Sequence, residues 1–201
     1  MRLFRSWPFS AIIYPSALFR IRTGEKTACL TFDDGPDPSS TPAILRILDR
    51  FNIKTVFFCS GEAAVKHPEL TSLIRSAGHL IGNHGYRHLD GWETAAGIYI
   101  NNVKEADSLT SDIYFRPPFG RMTPRQYREL SKKYKIILWD IMAYDFDPAF
   151  GAEKSLSVLN DKLRPGSIIV LHDSPQSKCI HFLEEFIESS VNRNFRFEIT
   201  F

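Results

Sequence analysis

The run Ala28-Cys29-Leu30-Thr31-Phe32-Asp33-Asp34-Gly35-Pro36-Asp37 decides how this chain is read. Its first residues are apolar or β-branched and predict a strand. The strand ends in two adjacent carboxylates, and Gly35-Pro36 then forces a turn. Two anionic side chains at one strand end repel each other. A cation, a shared proton or a basic neighbour offsets that repulsion. Asp, Gly and Pro also favour turns for backbone reasons alone, so the stretch by itself also reads as a solvated turn. The choice depends on whether the rest of the chain supplies positive partners.

Downstream, strand-like and helix-like segments alternate. Lys54–Cys59, His79–Gly82, Ile113–Phe115, Ile136–Trp139, Ile168–Leu171 and Phe195–Ile199 read as further strands. Between them lie helical patterns such as Ile44, Leu45, Ile47, Leu48 and Phe51, opened by Ser39-Ser40-Thr41-Pro42. This alternation predicts an α/β fold with a parallel sheet and crossover helices. Short, wholly apolar strands fit burial on both faces. An open sheet and a barrel both satisfy the count, and the polar residues separate them. Asp33 and Asp34 follow the first strand, His84 and His88 the third, and Arg116 the fourth. Asp140 and Asp145 follow the fifth, and His172 the sixth. Those side chains converge only if the strand ends ring one mouth, so a (β/α) barrel of about seven parallel strands, TIM-barrel-like, is expected. Residues 1–26 are expected to pack on the barrel as an N-terminal segment, and residues 27–201 to form the catalytic domain.

The 201 residues are 43% hydrophobic and 24% charged, with a net charge of +2 and no long run of one sign. That is a globular composition with nothing that points to nucleic acid. The three cysteines form no close pair, which suits a reducing compartment or an exported protein without disulfides. A cytoplasmic location is the favoured expectation. The basic, apolar start weakly resembles a signal or anchor, but Pro8, Pro15 and Arg20 interrupt it, and no transmembrane span is expected.

The polar residues also form a chemical set. His84-x-x-x-His88 places two imidazoles one turn apart if that loop is helical. With Asp34 they make a two-histidine, one-carboxylate group, which leaves positions open for water and substrate on a divalent metal. One carboxylate of the Asp33-Asp34 pair then binds the ion, and the other is free to accept a proton. Arg116 is a natural partner to hold that free carboxylate ionised. His172 ends an apolar strand, where a carboxylate such as Asp145 would keep it charged as a proton donor. Tyr86, Trp92, Phe119, Tyr144 and Phe146 are candidates to stack on a ring-shaped substrate or simply to pack.

Taken together, Thr31-Phe32-Asp33-Asp34-Gly35-Pro36, His84-x-x-x-His88, Arg116-Pro117-Pro118-Phe119-Gly120 and Leu171-His172 resemble the polysaccharide deacetylases, the NodB-homology domain of carbohydrate esterase family four. The resemblance runs from about Thr27 to His172. It implies a distorted (β/α) barrel and hydrolysis of N-acetyl groups on an acetylated glycan. It further implies Asp33 as base, Asp34, His84 and His88 as metal ligands, and Arg116 as the group orienting Asp33. His172 is the implied acid, tuned by Asp145, and the Phe119 amide an oxyanion donor. Pro118, Phe146 and Tyr86 are expected beside the substrate. Zinc is the expected ion, with cobalt or nickel as alternatives. Hydrolysis of an O-acetyl ester or a non-sugar amide, or glycan binding with weak turnover, stays open on the same residues. Two positions depart from the family pattern. Gly85 stands where the family has Ser or Thr, which would loosen the metal loop, and Phe146 stands where it often has Trp.

Overall fold

The computed structural model describes residues 4–5, 10–199 and 201. Its strands are β1 (Thr27–Asp33), β2 (Val56–Cys59), β3 (Leu80–Asn83), β4 (Tyr114–Phe115), β5 (Lys135–Ile136), β6 (Ile141–Met142), β7 (Ser167–His172) and β8 (Arg196–Phe197). Its helices are α1 (Ser10–Ile13), α2 (Thr41–Arg50), α3 (Gly61–Lys66), α4 (Pro68–Ser76), α5 (Ala96–Glu105), α6 (Pro124–Leu130), α7 (Ala152–Lys162) and α8 (Leu183–Asn192). The sheet runs β5-β4-β3-β2-β1-β7-β6, with β8 added beside the start of β1, and its pairings are parallel. Seven parallel strands curl into a half-barrel.

Strand β1 is buried along its whole length, as a central strand covered on both faces must be. One apolar cluster fills the space between the sheet and α2, α7 and α8, with Phe32, Leu48, Ile169 and Phe186 fully buried in it. A second joins α5 and α6 to β4 and β5 through Tyr99, Val103, Phe115 and Leu130. Burying an aliphatic or aromatic side chain stabilises by about 1.5–3 kcal/mol, so these clusters hold the layers on the sheet.

One expected strand is divided. Ile136–Trp139 does not continue as a single strand: the chain leaves β5 at one sheet edge and enters β6 at the other. The link between them spans the open side of the half-barrel. Leu18 bridges Ile137 there in parallel, Leu138 N–H donates to the Leu18 carbonyl at 2.8 Å, and Arg20 bridges Ser167. The Gly166 turn accepts this segment closely, since a Cβ at Gly166 would lie 1.9 Å from the Ile21 carbonyl oxygen. This crossing also corrects the place of Asp140. It precedes β6 rather than ending a strand, and it pairs with Arg5, Arg164 and Ser167 at the start of β7, away from the mouth.

Register brings the carboxyl ends level. Asp33 pairs with Phe58 on one side and His172 on the other, and Asn83 pairs with both Cys59 and Phe115. The residues at or just after those positions therefore share one rim.

Candidate active site

A cavity of about 290 Å³ opens at that rim, lined by Asp33, Asp34, His84, His88, Phe146 and His172 among others. Asp34 has φ of +80°, a left-handed backbone that a non-glycine residue adopts only under constraint from its surroundings. His84 Nε2 lies 3.5 Å and His88 Nε2 3.4 Å from Asp34 Oδ1. The three ligand atoms lie within 4.8 Å of one another.

The loop carrying the two histidines is not helical. Gly85 takes φ of +81° and its N–H donates to Asn83 Oδ1 at 2.7 Å, so a tight turn brings the rings 5.1 Å apart. A Cβ at Gly85 would meet Asn102 Nδ2 at 2.8 Å and the Arg87 carbonyl at 3.1 Å. Glycine therefore fits this loop, and the expected loosening by loss of Ser or Thr has no support in its geometry.

His84 Nδ1 lies 2.8 Å from the Arg116 carbonyl, which can only accept, so Nδ1 donates there and Nε2 is the atom that faces Asp34. Burial, aided by His84, lowers the His88 imidazole to about 4, so its ring is neutral at pH 7. Burial alone would raise the Asp34 carboxyl, but the surrounding imidazoles of His84, His172 and His88 hold it below the usual carboxylate range. Asp34 Oδ1 itself is buried and makes no hydrogen bond. A carboxylate oxygen and two imidazole nitrogens thus face one point of the cavity. Two imidazoles and one carboxylate so placed form a possible site for a divalent cation.

Asp33 is held differently. Arg116 is fully buried and donates through Nη1 to Asp33 Oδ1 at 2.7 Å and to Thr31 Oγ1 at 2.6 Å. Its other nitrogens donate to the Ile137 and Leu138 carbonyls at 3.1 Å, and its guanidinium lies 4.1 Å from the Phe58 ring. The arginine is held through all three of its nitrogens by fixed partners and cannot swing, so the Asp33 carboxylate is fixed with it. Opposite, His172 Nδ1 lies 2.9 Å from Asp145 Oδ1, and the His172 backbone N–H donates to Asp145 Oδ2 at 2.8 Å. Burial would lower this imidazole, but the charge and hydrogen bond of Asp145, with Asp34 and Asp33 beyond, raise it to about 9. It is cationic at neutral pH.

The remaining expected residues divide. Phe119 and Phe146 line the cavity; Phe119 packs edge-on to His88 at 4.5 Å and Phe146 edge-on to His172 at 4.6 Å. Pro117 rather than the buried Pro118 lines it. Tyr86 does not: its ring lies against Gly61, where a Cβ would come within 2.4 Å of Tyr86 Cδ2. Trp92 and Tyr144 line an adjoining cavity of about 600 Å³ that shares Phe119, Trp139, Met142 and Phe146. The sequence reading missed Trp139, Met142, Ser174 and Gln176 as lining residues. Trp139 has one sequence signal, since Gly120 must lack a side chain to admit it; a Cβ there would lie 2.5 Å from Trp139 Cη2. The three cysteines are buried and unpaired.

A family profile described as polysaccharide deacetylase matches residues 20–137. A peptidoglycan-N-acetylglucosamine deacetylase of Bacillus cereus is 31% identical over 85% of this chain, which spans 64% of that protein. A chitooligosaccharide deacetylase of Azorhizobium caulinodans is 30% identical, with 77% of each chain covered. A crystal structure of a peptidoglycan N-acetylglucosamine deacetylase superposes with a TM-score of 0.86 at 28% identity, covering 96% of this chain and 94% of that one. Fold, site geometry and these likenesses agree, and the chain belongs to the polysaccharide deacetylase family.

Proposed function

We propose that this protein hydrolyses N-acetyl groups from N-acetylglucosamine-type units of a polysaccharide or oligosaccharide. One observation carries the reading: Asp34, His84 and His88 present three ligand atoms within 4.8 Å of one another, in a cavity also lined by the arginine-bound Asp33 and a cationic histidine. Likeness to deacetylases of acetylated glycans supplies the substrate class.

Asp34, His84 and His88 would hold the ion, with zinc the first expectation and cobalt or nickel as substitutes. Such an ion lowers the pKa of water and polarises an amide carbonyl. Asp33, oriented by Arg116, takes the proton of the attacking water. The Phe119 backbone amide would donate to the oxyanion that forms as the carbonyl carbon becomes tetrahedral. His172 gives its Nε2 proton to the departing amine, and Asp145 keeps it charged until then. The products are acetate and a free amino sugar, so protons balance between Asp33 and His172. Phe146 and Phe119 exclude water from the acetyl group.

Acetate release from chitooligosaccharides, peptidoglycan fragments and acetylated xylan tests this, with added zinc, cobalt or nickel and a chelated control. Metal-dependent release from the N-acetylated substrates is the expected result. Release from xylan alone would make the protein an O-acetyl esterase. No release and no metal binding would overturn the reading.

A further inference from the structure

Asp173 follows His172 directly, is almost fully buried, and has no part in the chemistry above. We infer that Asp173 is a positioning residue: its carboxylate props the Asp33-Asp34 turn from beneath and locks the base, the metal carboxylate and the acid into one register. The proposal deepens the deacetylase reading and rests on it.

The contacts are specific. Asp173 Oδ1 accepts from Ser40 Oγ and Oδ2 from Thr41 Oγ1, both at 2.6 Å. Thr41 Oγ1 in turn accepts the Asp37 N–H at 2.8 Å, so the hydroxyl proton is committed to Asp173. The Asp173 backbone N–H donates to the Asp33 carbonyl at 2.7 Å. One residue therefore grips β1 through its backbone and the start of α2 through its side chain. The turn carrying Asp34 is stretched between those two grips.

Two oddities of the turn follow from this. Gly35 is not among the residues of positive φ; the left-handed residue is Asp34. Glycine is required at 35 for space instead, because a Cβ there would fall 2.2 Å from Asp173 Oδ2 and 2.7 Å from its Cγ. Ser40 stands at the N-cap of α2, yet its side chain makes no capping bond. Its hydroxyl is spent on Asp173. The turn gives up a glycine freedom and a cap to accommodate one buried carboxylate, and the strained φ at Asp34 is what that carboxylate holds in place.

The test uses the full chain with cobalt as the bound ion and four variants: D173A, D173N, G35A and G35A/D173A. Turnover and the visible spectrum of cobalt are read together with the melting temperature. A misplacement of about 1 Å costs roughly 100-fold in rate, so D173A is expected to lose about 100-fold in kcat with KM changed less than about threefold. Its cobalt spectrum should shift, because Asp34 no longer points one way. D173N fills the same space but offers one acceptor, and should lie between D173A and the parent. G35A should be as poor as D173A while keeping every hydrogen bond partner, and D173A should partly rescue it. A folded D173A with parental kcat and cobalt spectrum would overturn the proposal. So would a loss of rate that only tracks the folded fraction, or a G35A that D173A does not improve. If D173A fails to fold, D173N and G35A decide by the same readouts. If the parent releases no acetate, the deacetylase reading fails, and the cobalt spectra of the variants still decide whether Asp173 orients the Asp34 turn.

Discussion

Neighbouring residues of one kind, Asp33 and Asp34, are held in different ways here because their surroundings differ. Asp33 is tied to a guanidinium that has no freedom to leave, and Asp34 is aimed by a left-handed backbone at two imidazoles. D33N should therefore lower turnover by at least 100-fold, in the range general bases contribute (about 10²–10⁴), while metal content by atomic absorption stays at the parental level. Lost metal in D33N would mean the two carboxylates are reversed. H88A, by contrast, should lose metal and activity together. His172 gives the pH dependence. Its proton-donating form is the cation, raised to about 9 by Asp145 against the effect of burial, so kcat/KM should fall as pH rises through about 9. D145N removes the raising charge and leaves the burial. The basic limb should then move down toward the ordinary histidine value of 6.5, which a pH–rate profile will show. An unmoved limb would take His172 out of the acid role. The side chains proposed to react were legible in the sequence because most are titratable groups standing at or shortly after the end of an apolar run. Thr31, which shares Arg116 Nη1 with Asp33, and Trp139 were not, because a β-branched or aromatic residue in a strand is already explained by packing.

The elements place these groups through turns rather than through regular structure, and that is where sequence periodicity carries least. His84 and His88 at a four-residue spacing suggested a helical turn, yet the chain folds there around Gly85 at φ of +81° and the Asn83 side chain. A left-handed glycine brings the two rings together as well as a helix does, and spacing alone does not distinguish them. The distinction has a consequence. G85T would put a β-branched residue in a left-handed backbone with its Cβ 2.8 Å from Asn102 Nδ2. A non-glycine residue in that region costs roughly 1–2 kcal/mol before any clash. G85T should thus lower the melting temperature and weaken metal binding by calorimetric titration, and tighter binding would restore the view that a hydroxyl at this position steadies the loop. The split between β5 and β6 was hidden for a similar reason. Ile136-Ile137-Leu138-Trp139 is a continuous apolar run, and nothing local says that half of it spans a gap in the sheet instead of extending a strand.

At the scale of the whole molecule, parallel strands with level ends turn scattered sequence positions into one rim, which is why a barrel could be inferred from polar residues alone. The sheet nonetheless remains a half-barrel, and its open side is bridged by the 137–140 link and the segment before β1. Described residues of the segment before β1 contribute there in detail. Tyr14 is buried and exchanges hydrogen bonds with Met122, its hydroxyl donating to the carbonyl at 2.7 Å and accepting from the N–H at 3.1 Å. Leu18 and Ile21 cover Ile137 and Ile168, and the Ile21 N–H donates to the Gly166 carbonyl at 2.8 Å. The link these residues cover also supplies the Ile137 and Leu138 carbonyls that fix Arg116, and through Arg116 the proposed base Asp33. Removing residues 1–21 should therefore act twice. Exposing apolar groups that gain about 1.5–3 kcal/mol each when fully buried should lower stability by several kcal/mol, read as a fall in the urea midpoint. In the fraction that stays folded, kcat should fall while metal content holds, because a looser 137–140 link frees Arg116 without touching Asp34, His84 or His88. A truncated protein with an unchanged midpoint would show that the half-barrel stands without this segment. One with a lowered midpoint but an unchanged kcat would show that Arg116 keeps its aim from β4 alone.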